Sequence, residues 1–477
     1  MRKLLLATAA ALGFIGTANA AGLVEINQAA SPPAVGGATG VATPGFQSAF
    51  SVPKNNPDPG NAIVRFDGLI VFDTGFQSSN GNVGRVYTGS TVTGTGKLDS
   101  FMNSGYFRLY AGIDGKLPNG IIWGGSSEMR TNFAGGAPGG YSVINPSGAV
   151  DPAVGNASSN STASLWYTRR AYGYIGMPAY GLIRYGQGDG PLSIFTGSGI
   201  TTGEAFSTGA WDGDGPDFLP GNSYLGWAFN DIGNEYTSNK MVYISPTFFG
   251  FNFGTSFAPN SCVLSANTTA TAGTGANCNQ ASSVQASDLA RPRNTVEAAV
   301  RWQGSLGPVA IDSMIGWQHS GVVNNGNSLA PGVKFKGVDV VDGGASATFM
   351  GASVYGHVMG GTMNGTMTPV AVTAARGAPK GWSWVEGVQY TIGPWTAGAS
   401  YWTLQDEGSS SGLGLASMRG AAVGGYYAVA PSFNVFLEYL NGEKRQAGVN
   451  AVDTGGPASL HNNSTTNVVL LTAQVLW

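Results

Sequence analysis

Cysteine is nearly absent from this chain: Cys262 and Cys278 are the two in 477 residues. That excludes a small scaffold held by several disulfides, and neither spacing nor neighbours give a metal site. Histidine is almost as scarce. His319, His357 and His461 stand far apart, without metal-ligand spacing or a triad pattern, so no metal, no cofactor and no enzyme chemistry is expected. Charge is low too, at 10% Asp, Glu, Lys and Arg, against about 25% in ordinary soluble domains. There is no clustered basic excess, so a nucleic-acid partner is not expected. Beyond the first twenty residues no run of about 20 apolar residues occurs, which excludes helical membrane spans.

What is present begins with an export address. Met1-Arg2-Lys3 is a basic start, Leu4 to Gly16 an apolar stretch, and Ala18-Asn19-Ala20 an A-x-A cleavage site. Residues 1–20 therefore read as a signal peptide. Its removal takes the basic count from 23 to 21 against 26 acids, a formal charge of −5. An exported chain meets oxidising conditions, so Cys262 and Cys278 are expected to close one external loop by a disulfide.

Glycine is abundant, 75 residues, and aromatic residues make up 11%, yet mean hydropathy is only +0.02. A barrel in a membrane has this signature. Its strands of about 9–11 residues alternate lipid-facing and lumen-facing side chains, which averages the hydropathy to neutral. The expected fold is all-β: a transmembrane antiparallel barrel of about sixteen strands.

Residues 21–60 are rich in Ala, Pro and Gly and read as a flexible periplasmic lead-in; the barrel takes 61–477. Its connections fall into two lengths. Short turns include Gly115 to Asn119, Gly176-Met177-Pro178, Ser245-Pro246, Ser305 to Pro308, Gly393-Pro394 and Ala430-Pro431. Long ones run near 77–102, 132–162, 259–292, 360–380 and 441–464. Bacterial barrels put short turns on the periplasmic side and long loops outside. Up–down pairing then gives strands at 62–77, 103–114, 119–131, 163–175, 179–189, 238–247, 250–258 and 294–304. The second half gives 308–319, 333–342, 345–358, 381–392, 394–406, 417–429, 432–443 and 465–477. Fourteen or eighteen strands are the alternatives, and the pair at 333–358 has the weakest signal of the sixteen.

Aromatic residues recur just before turns: Tyr243 before Pro246, Tyr390 before Pro394, Tyr427 before Pro431, and Trp302 before Pro308. Such rings favour the headgroup level and form girdles. From Asn467 to Trp477 the chain alternates, with Val469, Leu471, Ala473, Val475 and Trp477 on one face. A terminal aromatic on such a strand resembles the signal by which outer-membrane barrels are assembled.

On these features the chain resembles the Gram-negative general porin superfamily, in the style of α-proteobacterial porins, from about Ala62 to Trp477. The resemblance rests on Asn119-Gly120-Ile121-Ile122-Trp123-Gly124-Gly125 and on Arg169-Arg170-Ala171-Tyr172-Gly173-Tyr174-Ile175-Gly176 leading into Tyr185-Gly186-Gln187. The Tyr-x-x-Pro turns add to it. Trp477 departs from the more usual terminal Phe. The resemblance implies an outer-membrane homotrimer among lipids and lipopolysaccharide, whose third loop folds inward and narrows the lumen opposite basic wall residues. That loop would run from Gly190 to Gly221, with Glu204, Asp212, Asp214 and Asp217 and no Lys or Arg. Pro191-Leu192-Ser193-Ile194-Phe195 matches the family's loop core only loosely.

Parity supplies the facing wall. Val64, Phe66, Ile70 and Phe72 facing lipid send Arg65, Asp67 and Asp73 inward; Phe107, Leu109 and Ala111 do the same for Arg108, with Tyr106 and Tyr110. Ile121, Trp123 and Met129 outward place Glu128 and Arg130 inside. A lipid-facing Arg near the midplane costs about 2–4 kcal/mol, so the sorting should hold. The resemblance puts Arg169 inside and Arg170 near an interface; Arg184 is inward if Tyr185 is a girdle residue.

Three motif matches fail on context. Asp212 to Asp217 lacks the distal glutamate of a calcium loop. Gly408 to Gly412 matches G-x-S-x-G without a strand and helix around it. Gly94 to Lys97 lacks the first glycine and the hydroxyl of a phosphate loop. The expected function is a water-filled channel for passive diffusion of small hydrophilic solutes and ions. The alternatives are a sugar- or anion-preferring porin of the same architecture and an adhesion or structural barrel.

Overall fold

The computed structural model describes residues 26–27, 57–80, 83–88, 91–97, 100–132, 166–196, 238–260, 290–324, 334–363, 370–372, 380–406, 416–446 and 463–477. The signal peptide, most of 21–60, Glu204, Asp212, Asp214, Asp217, Cys262 and Cys278 lie outside the described residues.

Sixteen strands form one sheet that closes on itself. The first eight are β1 (Ala62–Ser79), β2 (Phe101–Lys116), β3 (Ile122–Asn132), β4 (Tyr167–Met177), β5 (Gly181–Gln187), β6 (Asn239–Ile244), β7 (Phe251–Asn260) and β8 (Ala290–Leu306). The rest are β9 (Val309–Asn324), β10 (Asp339–Phe349), β11 (Ala352–Thr362), β12 (Gly381–Ile392), β13 (Trp395–Asp406), β14 (Ala416–Ala430), β15 (Phe433–Gln446) and β16 (Asn463–Leu476). Each pairs antiparallel with the next, and β1 pairs with β16 from Leu69↔Leu476 to Ser79↔Thr466. Closure leaves no open edge, which a lipid environment requires because nothing there can satisfy free N–H and C=O groups. Among the described residues no helix is long and apolar enough to cross a membrane; the strands do so.

Short turns sit at one end of the barrel and long connections at the other. Below the seam, Ile26–Asn27 pairs in parallel with Val64 and Arg65. The strand count agrees with the sequence, but one hairpin is shifted. The sequence places a turn at Gly343-Gly344, between 333–342 and 345–358. Instead β10 runs straight through both glycines, and the chain reverses at Met350-Gly351, with φ of 48° and 82°. Two successive left-handed residues give the twist a two-residue hairpin needs. Gly343-Gly344 looked like a turn because glycine marks turns and strand gaps alike. Residues 334–336 pair antiparallel with 370–372 in a small separate two-stranded sheet.

Alternation is obeyed along the wall. On β1, Phe66, Phe72 and Phe76 are exposed outward while Arg65, Asp67, Asp73 and Gln77 are buried inward. At the turn end, outward Trp395 lies 4.3 Å from Tyr427 between ring centroids, Phe253 5.7 Å from Tyr243, and Phe251 6.4 Å from Trp302. These rings are the girdle that the pre-turn aromatics announced. The inward face also carries an apolar cluster, which includes Trp402, Leu404, Met418, Leu440, Val468 and Leu470.

Candidate functional site

The inward faces of β1 to β5 concentrate charge. Glu128 on β3 is the centre. Arg170 and Arg130 each donate a hydrogen bond to its carboxylate, and Arg169 Nη1 lies 3.7 Å from it. Arg170 also forms a bidentate pair with Asp189, Nε to Oδ2 at 2.6 Å and Nη2 to Oδ1 at 2.9 Å. Arg184 donates to the Asp189 carbonyl and lays its guanidinium 4.4 Å over the Tyr172 ring. Arg108 stands 4.4 Å over Tyr106 and faces Arg130 in register. Five guanidiniums thus surround two carboxylates in a wall where pairing, not solvation, must hold the charges. Such charge-assisted, bidentate contacts are the strong ones.

Backbone geometry explains how neighbouring arginines share a face. Opposite Glu128 and Met129, β4 carries an extra residue: Glu128 pairs with Arg170 and Met129 with Thr168, leaving Arg169 between. This bulge turns both Arg169 and Arg170 inward. The expectation that Arg170 sits near an interface is therefore overturned; its side chain is only 2% exposed. Strict period-two counting allows one of two adjacent residues inside, and only the bulge allows both.

A second group lies nearer the turns. Arg65 Nε meets Asp114 Oδ2 at 2.8 Å, and Tyr174 donates to the same carboxylate. A third anchors the root of the long connection after β5. There α1 (Pro191–Thr196) lies against the inner face of β7, β8 and β9, with Leu192 and Phe195 in an apolar cluster that includes Ala299 and Met314. The Leu192 N–H donates to Glu297 Oε2 at 3.3 Å, Lys240 Nζ pairs with Glu297 Oε1 at 3.3 Å, and Ser193 Oγ reaches Asp189 Oδ1 at 3.4 Å. Glycines make room for it. A Cβ on Gly316 would lie 2.1 Å from Leu192 Cδ2, and one on Gly254 2.6 Å from Pro191 Cβ. The residues after Thr196 as far as 237 lie outside the described residues.

A family model described as Gram-negative porin matches residues 36–466, most of the sequence. The chain belongs to the Gram-negative porin family. Its closed sixteen-stranded barrel and outward aromatic girdle are those of an outer-membrane channel.

This porin is also similar in fold to solved porin structures. An anion-selective porin from Comamonas acidovorans is 14% identical, with 87% of this chain and 100% of that one covered and a TM-score of 0.47. The outer-membrane channel DcaP of Acinetobacter baumannii is 10% identical over 89% and 99%, with a TM-score of 0.49. OmpT of Vibrio cholerae, in its trimer form, is 10% identical over 88% and 100%, at 0.46. No curated protein matches the chain.

Of the wall residues expected from sequence, Arg65, Asp67, Arg108, Glu128, Arg130, Arg169 and Arg184 all lie on the inner face. Arg108, Glu128, Arg130, Arg169 and Arg184 come together in the first group; Arg65 belongs to the second. Tyr185 is outward, which sets Arg184 inward. Sequence reasoning missed Asp114, Tyr174, Asp189, Lys240 and Glu297. It also missed the inward pairs Arg301–Asp312 and His357–Asp342. Their parity could have found most of them: Glu297 and Arg301 alternate with Val296, Ala298, Val300 and Trp302 along β8.

Proposed function

We propose that this porin is a weakly selective diffusion channel whose passage is narrowed between the arginine wall around Glu128 and the acids of the third long connection, Glu204, Asp212, Asp214 and Asp217. The observation that carries the reading is the wall itself: Arg108, Arg130, Arg169, Arg170 and Arg184 cluster around Glu128 and Asp189 on one inner face, a local basic excess that Asp67 and Asp73 on neighbouring β1 only partly offset. A carboxylate-bearing loop rooted at α1 would oppose that excess and set a transverse field. Charged rings and patches are how a pore ranks ions. Polar solutes whose dipoles align there cross, and apolar ones are excluded. The channel acts as a homotrimer in the outer membrane, among its lipids and lipopolysaccharide, with Cys262 and Cys278 bridged in one external loop. No catalytic role is assigned.

An anion-preferring channel is the second reading, favoured by the same arginine cluster if the loop acids do not reach the wall. Both are tested by single-channel conductance and reversal potential in a KCl gradient, for the wild type and for D212N/D214N/D217N. Large steps with mild selectivity, shifted toward anions in the variant, support the proposal. An anion preference already strong in the wild type and unmoved by the variant supports the second reading. Absence of conductance overturns both.

A further inference from the structure

Among the described residues, Glu386 is an ionisable side chain set in mid-strand on the outward face of the barrel wall. Along β12 the outward positions are Trp382, Trp384, Glu386, Val388, Tyr390 and Ile392. Glu386 is exposed there, between the outer tryptophans and the turn-end aromatics, inside the apolar band. It forms no hydrogen bond or ion pair among the described residues. An ionisable group at such a position is costly and is by default a functional-site candidate.

Its surroundings form a depression rather than a smooth wall. Glu386 is in register with Gly356 on one side and Tyr401 on the other, and Tyr401 with Ala421. Beside Glu386, the outward side chains of Val354, Val388, Ala399, Ala421 and Val423 line a cavity of about 600 Å³, flanked by Tyr401 and Tyr439. Small residues at Ala399 and Ala421 leave the hollow; valines and tyrosines form its walls. The volume is in the range of small-ligand sites.

We propose that this depression binds a cationic amphiphile, an alkylammonium whose chain lies against the valines and whose head pairs with the Glu386 carboxylate. A ligand arriving from the lipid side must be mostly apolar, and the carboxylate selects a cation. The aromatic faces of Tyr401 and Tyr439 suit a cation as well. A second copy of this chain is a poorer occupant. The outward-facing cations of its described strands, Arg293, Arg419 and Arg445, all stand within four residues of a strand's long-loop end.

The test uses the full, folded protein in a non-ionic detergent, titrated calorimetrically with decylammonium chloride below its micelle concentration. Saturable binding of one decylammonium per chain is expected, with decanol and decyl sulfate failing to compete. E386Q should weaken it about ten-fold or more, since the carboxylate that pairs with the ammonium becomes an uncharged amide. A421F, which fills the hollow and leaves the charge, should abolish it. Equal affinity in wild type and E386Q, unsaturable uptake in both, or unchanged binding in A421F would overturn the proposal. So would a changed cross-linking pattern in E386Q with decylammonium binding intact, which would make this face a contact between copies.

Discussion

The indole of Trp477 lies over Gly68, where a Cβ would stand 1.9 Å from its Cζ2. The two backbones pair there as well: Gly68 N–H donates to the Trp477 carbonyl at 3.0 Å, and Trp477 N–H to the Gly68 carbonyl at 3.2 Å. The ring's other neighbour is Phe107, 5.4 Å away between centroids. A strand glycine covered by a cross-strand aromatic is a known way to fix register, and here it does so at the closing seam of the barrel.

Gly68→Val should therefore disturb closure, at a cost of about 1–3 kcal/mol typical of overpacking. In a Trp477→Ala background the same change should cost much less, because the clash has gone. Heat-modifiability on gels, after refolding into detergent, checks both. Equal losses in the two backgrounds would show that the ring and the glycine act independently.

Glu128→Gln leaves Arg130, Arg169 and Arg170 around an uncharged amide. Removing one member of a buried ion group costs about 3–5 kcal/mol, so the thermal midpoint should drop. The surviving channel should turn more anion-preferring, read as a shifted reversal potential in a KCl gradient. A destabilised protein with unaltered selectivity would make Glu128 a structural residue away from the ion path.

Gly316→Val pushes into Leu192 and should dislodge α1 from its seat on β8 and β9. Single-channel conductance is expected to change or become noisy. Leu192→Ala added to the same chain removes the obstructing atoms and should restore steady steps. Persisting noise in the double variant would mean that the helix is not what Gly316 accommodates.

The shifted hairpin has its own check. Gly351→Ala would force a Cβ 2.4 Å from the Thr391 carbonyl at positive φ, whereas a Cβ on Gly343 meets its nearest atom at 3.4 Å. The first substitution should destabilise by about 1 kcal/mol or more and the second should be mild. Refolding yields or urea midpoints in the reverse order would return the turn to Gly343-Gly344.

Much of the architecture was legible in the residues. The two lengths of connection, the aromatic residue before several Pro turns and the alternating Asn467–Trp477 strand follow from local requirements of a membrane wall. An outward position must be apolar, a turn needs Gly or Pro, and an interface favours a ring. Those constraints act residue by residue, so the sixteen strands and the inward setting of Arg65, Arg108 and Glu128 could be counted along the chain. The sequence by itself determined a closed barrel and, through parity, the inward setting of residues such as Arg65, Arg108 and Glu128. Only the tertiary structure decided the partners. The bulge opposite Glu128 brings Arg169 and Arg170 to one face, Glu297 meets Lys240 and the Leu192 N–H, and Trp477 finds Gly68 across more than four hundred residues. Period-two parity is blind to a bulge, and cross-strand register between distant segments is fixed by the whole sheet at once.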